Sequence, residues 1–232
     1  MMKILFTAAV VLLLSFVDTF AQSPPVEDIQ FWNETSVSFP IYKTEDSKGE
    51  KVERVGMFFN GVLRVGDNVS RPVDKRLGFG FDFRVNRFVS LTTAYLYVAA
   101  SPVRGRREYE TRLRFAVNLR KDFKRFSLRN RNLVEYRFRN GRDDSTRYRN
   151  RIQFSYPIRK KNGEELFTPY AQNEAFYDFL PNEWTRNEVG GGISKKINQN
   201  LTTEFFYTLR NNRGNTLKYV NIFGVNLRFE IE

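Results

Sequence analysis

The sequence predicts an all-β fold: a single antiparallel transmembrane β-barrel of ten or twelve strands. Three observations predict it. Apolar residues recur at every second position along most of the chain. The N-terminus carries an export leader. Aromatic residues gather near the ends of the alternating stretches, among them Trp32, Phe88, Tyr97, Tyr109, Phe126, Tyr156, Trp184 and Tyr219. Alternation at period two separates two faces only in a strand, and aromatics at both interfaces anchor a barrel among lipid headgroups. A soluble β-sandwich also alternates, but it needs neither the leader nor the aromatic ends.

Residues 1–21 read as a cleaved signal peptide. Lys3 supplies the positive charge, 4–17 is almost wholly apolar, and Thr19-Phe20-Ala21 puts small residues on either side of Phe20 before the cleavage point. The apolar run falls short of the ~20 residues that a membrane-spanning helix needs. Cleavage leaves 22–232 as one outer-membrane barrel domain. It removes Lys3 and Asp18 together, so the net charge stays at +12. Gln22 follows rather than Cys, which excludes an N-terminal lipoprotein.

Eleven segments carry the alternation. The clearest is 77–85, where Leu77, Phe79, Phe81, Phe83 and Val85 oppose Gly78, Gly80, Asp82 and Arg84. Segments 109–119, 126–139, 147–156, 201–210 and 219–229 repeat the pattern; 30–39, 56–65, 89–99, 169–177 and 187–197 show it more weakly. Short turns are expected at 86–87, 121–124 and 198–200, and longer loops at 100–107, 140–146, 178–186 and 211–216. Short turns at one rim and long loops at the other is the outer-membrane pattern. Two long connections, 41–53 and 157–168, break it. Bacterial single-chain barrels have even strand numbers, so one strand is expected to be missing or surplus between 31 and 65.

Composition closes off whole classes of chemistry. The chain has no Cys and no His. Thiol nucleophiles, imidazole bases, disulfides and His or Cys metal ligands are therefore impossible. No cofactor or metal site is expected. Of 38 basic residues, 26 are Arg, and strand parity sends many of them to the non-lipid face. The charged residues expected to face the lumen are Asp82, Arg84, Glu110, Arg112, Arg114, Arg129, Arg131, Glu135, Arg137, Arg139, Arg147, Arg149, Arg151, Glu174, Glu188, Glu204, Arg210 and Arg228.

The run Leu128-Arg129-Asn130-Arg131-Asn132-Leu133-Val134-Glu135-Tyr136-Arg137-Phe138, followed by Arg147-Tyr148-Arg149-Asn150-Arg151, resembles the paired Arg-rich strands of the bacterial outer-membrane proteins called domain of unknown function 2490. Glu174-Ala175-Phe176 and Trp184-Thr185-Arg186-Asn187 before Gly190-Gly191-Gly192 are similar to later segments of that family. Glu188 departs from it, standing where an Arg is expected. The resemblance implies a bacterial outer-membrane barrel with no assigned activity and carries no catalytic residues.

An Arg-rich interior has two readings. Guanidinium–carboxylate pairs could brace the wall and plug the lumen. Alternatively, arginines in excess, which cannot deprotonate, could draw small anionic solutes through it. With a plugged lumen the chain would act as an interaction scaffold through its loops. A His-independent hydrolase built on Asp143-Asp144 or Glu164-Glu165 is a third possibility, but adjacent loop acids are commonly just solvated, and no enzyme activity is expected. The expected partners are outer-membrane lipid, lipopolysaccharide, the barrel-assembly machinery and an anionic small solute. Nucleic acid is not expected, because the basic residues alternate with apolar ones in an exported chain. Oligomeric state is not legible.

Overall fold

The computed structural model describes residues 26–45, 49, 51–213 and 217–231. The expected signal peptide, 1–21, lies outside them. The regular elements are β1 (Val26–Glu45), β2 (Lys51–Gly66), β3 (Arg71–Arg84), β4 (Val89–Ala100), β5 (Glu108–Asp122), β6 (Ser127–Arg139), β7 (Ser145–Ser155), β8 (Ile158–Arg159), β9 (Glu165–Asp178), β10 (Glu183–Lys196), β11 (Leu201–Asn212) and β12 (Leu217–Glu230).

Consecutive long strands pair antiparallel around the whole wall, with β7 joined to β9. The sheet closes where β12 pairs with β1 in parallel, matching Phe31 to Phe223 and Val37 to Phe229. Closure leaves no unpaired edge in the wall, as a bilayer requires. Two-residue β8 pairs with β9 beside the wall.

The expected count of ten or twelve needs correcting. The eleven alternating segments are the eleven staves of the wall, and the sheet reaches twelve strands only through β8. When strands alternate in direction, an odd number leaves the first and last pointing the same way. Their pairing is then necessarily parallel. Strands β1 and β12 start at one rim, here the N rim, and finish at the other, the C rim.

The expected contrast in loop length is also corrected. The strands run further than the alternation suggested, so 178–186 shrinks to a connection between Asp178 and Glu183, and most of 41–53 becomes the paired ends of β1 and β2. Polar residues near a rim still complete the ladder, because backbone pairing does not require apolar side chains. The β2–β3 turn is tight. Asp67, Asn68 and Val69 all have positive φ (57°, 54° and 63°). The turn is held by Asn68 N donating to Asp28 Oδ1 at 2.8 Å and Val69 N donating to the Ile29 carbonyl at 3.1 Å.

The burial pattern is the reverse of a soluble protein's. Leu77 is 70% exposed and Phe115 58% exposed, whereas Glu135 and Glu174 are each 1% exposed. Apolar side chains form the outer belt and charged ones fill the inside, which excludes the sandwich reading. One apolar island sits within: Trp32, Val220 and Ile222, with Phe206 packed against them. Gly224 makes room for it, since a Cβ there would collide with the Phe206 ring.

Candidate functional site

The lumen is built by the strand pleat. Residues two apart on one strand point the same way, so Glu110, Arg112 and Arg114 of β5 meet Arg131, Glu135 and Arg137 of β6. These in turn meet Arg147, Arg149 and Arg151 of β7 and Glu174 and Asp178 of β9.

Two carboxylates are shared by five guanidinium groups. Glu174 accepts from Arg131 Nη2 at 2.8 Å, Arg149 Nε at 2.9 Å and Arg151 Nη2 at 2.7 Å. Glu135 accepts from Arg149 Nη1 at 3.1 Å and lies 3.2 Å from Arg114 Nε and 3.9 Å from Arg112 Nη1. Toward the N rim, Glu110 accepts from Arg112 and from Arg137 Nε at 2.7 Å. Asp178 takes Arg147 in a bidentate pair at 2.6 and 2.7 Å, plus the Thr185 hydroxyl at 2.6 Å. This continuous network holds seven Arg (112, 114, 131, 137, 147, 149, 151) and four acids (110, 135, 174, 178), which leaves a surplus of three positive charges.

Across the lumen, the arginines lean on aromatic rings. Arg64 Cζ lies 3.5 Å and Arg210 Cζ 4.5 Å from the Trp32 ring centroid, and Arg149 Cζ 4.6 Å from that of Phe176. A ring face attracts a cation and still leaves its N–H donors free. Glu188, the family departure, accepts from Arg210 Nε at 2.8 Å. Glu204 accepts from Asn226 at 2.8 Å and from Arg228.

The two halves of the lumen differ in packing. At the N-rim half, Asp28, Gln30, Trp32, Leu96, Val98, Glu110, Arg112, Arg137, Arg147 and Asp178 are all buried. At the C-rim half, Asp82, Arg129 and Arg228 are exposed and Ser36, Asn118 and Gln153 half-buried, while Ser127, Ser155, Tyr170 and Glu204 are buried. Between these levels lies a cavity of about 610 Å³. Twelve arginines and only four carboxylates (Glu34, Asp82, Glu188, Glu204) line it. The acids that balance many of these arginines, Glu135 and Glu174 above all, sit behind them in the wall. Three buried guanidinium nitrogens, the Nε atoms of Arg64, Arg114 and Arg131, have no hydrogen-bond partner among the described residues. All three residues line the cavity.

The structure gathers most of the expected lumen set around this cavity or the network behind it. Arg84 and Arg139 stand apart. Arg84 is exposed where β3 ends, and Arg139 Nε donates to the Asp143 carbonyl at 2.7 Å at the N rim. Of the loop acids, Asp144 Oδ1 accepts from the Arg139 backbone N–H at 2.9 Å, and Glu164 pairs with Lys160 at 2.9 Å. Sequence reasoning missed Arg64, Asp74, Arg76, Asp178 and Arg186. Asp74 and Arg76 lie just before Leu77 and share its strand. Continuing the parity four residues back would have found both.

The family model described as protein of unknown function (DUF2490) matches residues 29–221. The chain belongs to this family. The match spans most of the DUF2490 wall, from Ile29 on β1 into β12. A search of the curated proteins finds no match. Among solved structures, this DUF2490 chain is similar to the beta domain of the Bordetella autotransporter BrkA, at 13% identity and TM-score 0.44, over 71% of this chain and 78% of that one. It is also similar to the siderophore receptor PirA from Pseudomonas aeruginosa, at 12% identity and TM-score 0.32, over 74% of this chain and 35% of that one.

Proposed function

We propose that this DUF2490 chain is an outer-membrane barrel whose lumen is an anion-binding vestibule, open at the C rim and sealed at the N rim. The observation that carries this is the lining of the cavity: twelve arginines against four carboxylates. A multivalent anion entering there would replace water on guanidinium groups that are already desolvated and aimed. Each such charge-assisted contact is stronger than a neutral one. The packed N-rim layer favours binding over free passage, so transit of a solute would need that layer to open. The apolar outer belt supports the outer-membrane location, with lipid, lipopolysaccharide and the assembly machinery as the accompanying partners.

The test is calorimetric titration of the refolded full chain with inorganic pyrophosphate. Binding at one site is expected, weakening as salt screens the charges and falling at least tenfold in Arg131→Gln, a loss of about 1.4 kcal/mol. Absence of pyrophosphate binding, or equal binding in the variant, would overturn the vestibule. Recovery of the expressed protein in the soluble fraction would overturn the location.

A further inference from the structure

The outer belt carries one feature that the lumen does not explain. On the wall formed by β6, β7, β9, β10 and β11, four asparagines share one cross-strand row with Ala175. Asn132 pairs with Asn150, Asn150 with Ala175, Ala175 with Asn187, and Asn187 with Asn211. Each has the opposite parity to a lumen residue beside it on its strand, such as Arg131, Arg151, Glu188 and Arg210, so the row faces outward. Asn130 and Asn173 flank it, each two residues nearer the C rim.

The carboxamides partly satisfy one another. Asn132 Nδ2 donates to Asn130 Oδ1 at 2.7 Å, Asn150 Nδ2 to Asn132 Oδ1 at 2.9 Å, and Asn173 Nδ2 to Asn187 Oδ1 at 3.0 Å. Each of these nitrogens makes that one bond among the described residues and carries a second N–H. In hydrocarbon an unpaired N–H is costly. On the far wall, Phe59, Phe79 and Tyr95 form an outward aromatic series.

We propose that this face docks a second copy of the chain within the membrane. Whatever covers the row must offer donors and acceptors at its own depth in the bilayer. Acyl chains offer neither. A second copy inserted in the same sense presents the same row at the same depth. A carboxamide both donates and accepts, so the patch is complementary to itself across a two-fold axis along the membrane normal. Ala175 lies in the row itself and the outward pair Ala171 and Gly191 four residues nearer the C rim, and small residues let two walls approach closely. The inference rests on the proposed placement of the wall in a bilayer.

The chain has no Cys, so Ala175→Cys creates its only thiol. The refolded variant is placed in phosphatidylethanolamine–phosphatidylglycerol vesicles and oxidised with copper phenanthroline. A disulfide dimer is expected as the main species and should persist on dilution with lipid. Leu91→Cys, outward on the far wall, should stay monomeric. Adding Asn132→Leu and Asn150→Leu to Ala175→Cys should abolish the dimer; should that triple variant fail to fold, the two single variants decide. A monomeric Ala175→Cys barrel, or equal yields at both positions, overturns the docking face and leaves the bilayer placement standing. Failure of every variant and of the parent chain to insert overturns both.

Discussion

Arg131 on β6 reaches over β7 to hydrogen-bond Glu174 on β9 at 2.8 Å. The bond spans three staves and runs above Arg151, which uses the other oxygen of the same carboxylate. Glu174 is thus the anchor of the Arg-rich wall: one negative charge holding three positive ones at a fixed spacing.

Removing that anchor should be severe. Glu174→Gln leaves Arg131 and Arg151 without their carboxylate and leaves Arg149 with Glu135. Loss of one partner from a buried ion pair costs about 3–5 kcal/mol. The urea midpoint of the refolded barrel, read by heat-modifiable gel mobility, should fall accordingly. Arg129→Gln is the control: Arg129 is exposed, makes no ion pair among the described residues, and should leave the midpoint unchanged. Equal midpoints for the two variants would show that the shared carboxylate does not brace the wall.

Phe81 sits at the middle of the outward apolar run from Leu77 to Val85, its ring 6.5 Å from that of Phe83. Phe81→Arg should block stable insertion, because Arg at the bilayer midplane of a barrel's lipid face costs about 2–4 kcal/mol. Vesicle flotation reads this directly. Normal insertion would reverse the assignment of faces.

The N-rim seal predicts an electrically quiet barrel. Wild-type protein in a planar bilayer should show no steady steps. Combining Glu110→Ser with Arg137→Ser removes the 2.7 Å bridge between β5 and β6 and should open anion-selective steps with a matching reversal potential in a KCl gradient. Large steady steps from the wild type would refute the seal.

A rim contact should respond to acid. The Asp67 carboxylate accepts from Arg104 at 3.2 Å and from Arg71 Nε at 3.2 Å. These hydrogen bonds, Arg104's first, hold its pKa below the usual Asp value. A lowered folded-state pKa means the contact's contribution is complete above the unfolded value of roughly 4 and disappears as pH falls through the lower folded one. Hydrogen exchange in 101–107, corrected for intrinsic rates, should therefore accelerate only in that acidic window. Asp67→Asn should show the faster exchange already at neutral pH. An unchanged exchange rate in that variant would remove Asp67 as the loop's tether.

Much of this architecture is written at period two. The pleat forces parity, so one clear stretch such as 77–85 assigns Phe81 outward and Asp82 inward without any knowledge of neighbouring strands. Strand ends are different. Asp74-Lys75-Arg76 has no apolar member and falls outside the alternating segments, yet the backbone continues its ladder with Arg64 and Val98. The eleven-stave closure was illegible for another reason: parity says which way a side chain points, not which distant strand completes the ring.

Parallel closure has an engineering consequence. In a barrel with an even number of staves, the last strand ends at the rim where the first one starts, and a short peptide can join the two termini to give a circularly permuted chain. Here Val26 and Glu230 lie at opposite rims. A joining peptide would have to run the full height of the wall, roughly ten or more extended residues at about 3.3 Å each, through lipid or through the arginines. Rewiring this protein therefore means deleting or adding a whole strand, and the seam would then have to exchange its parallel ladder for an antiparallel one.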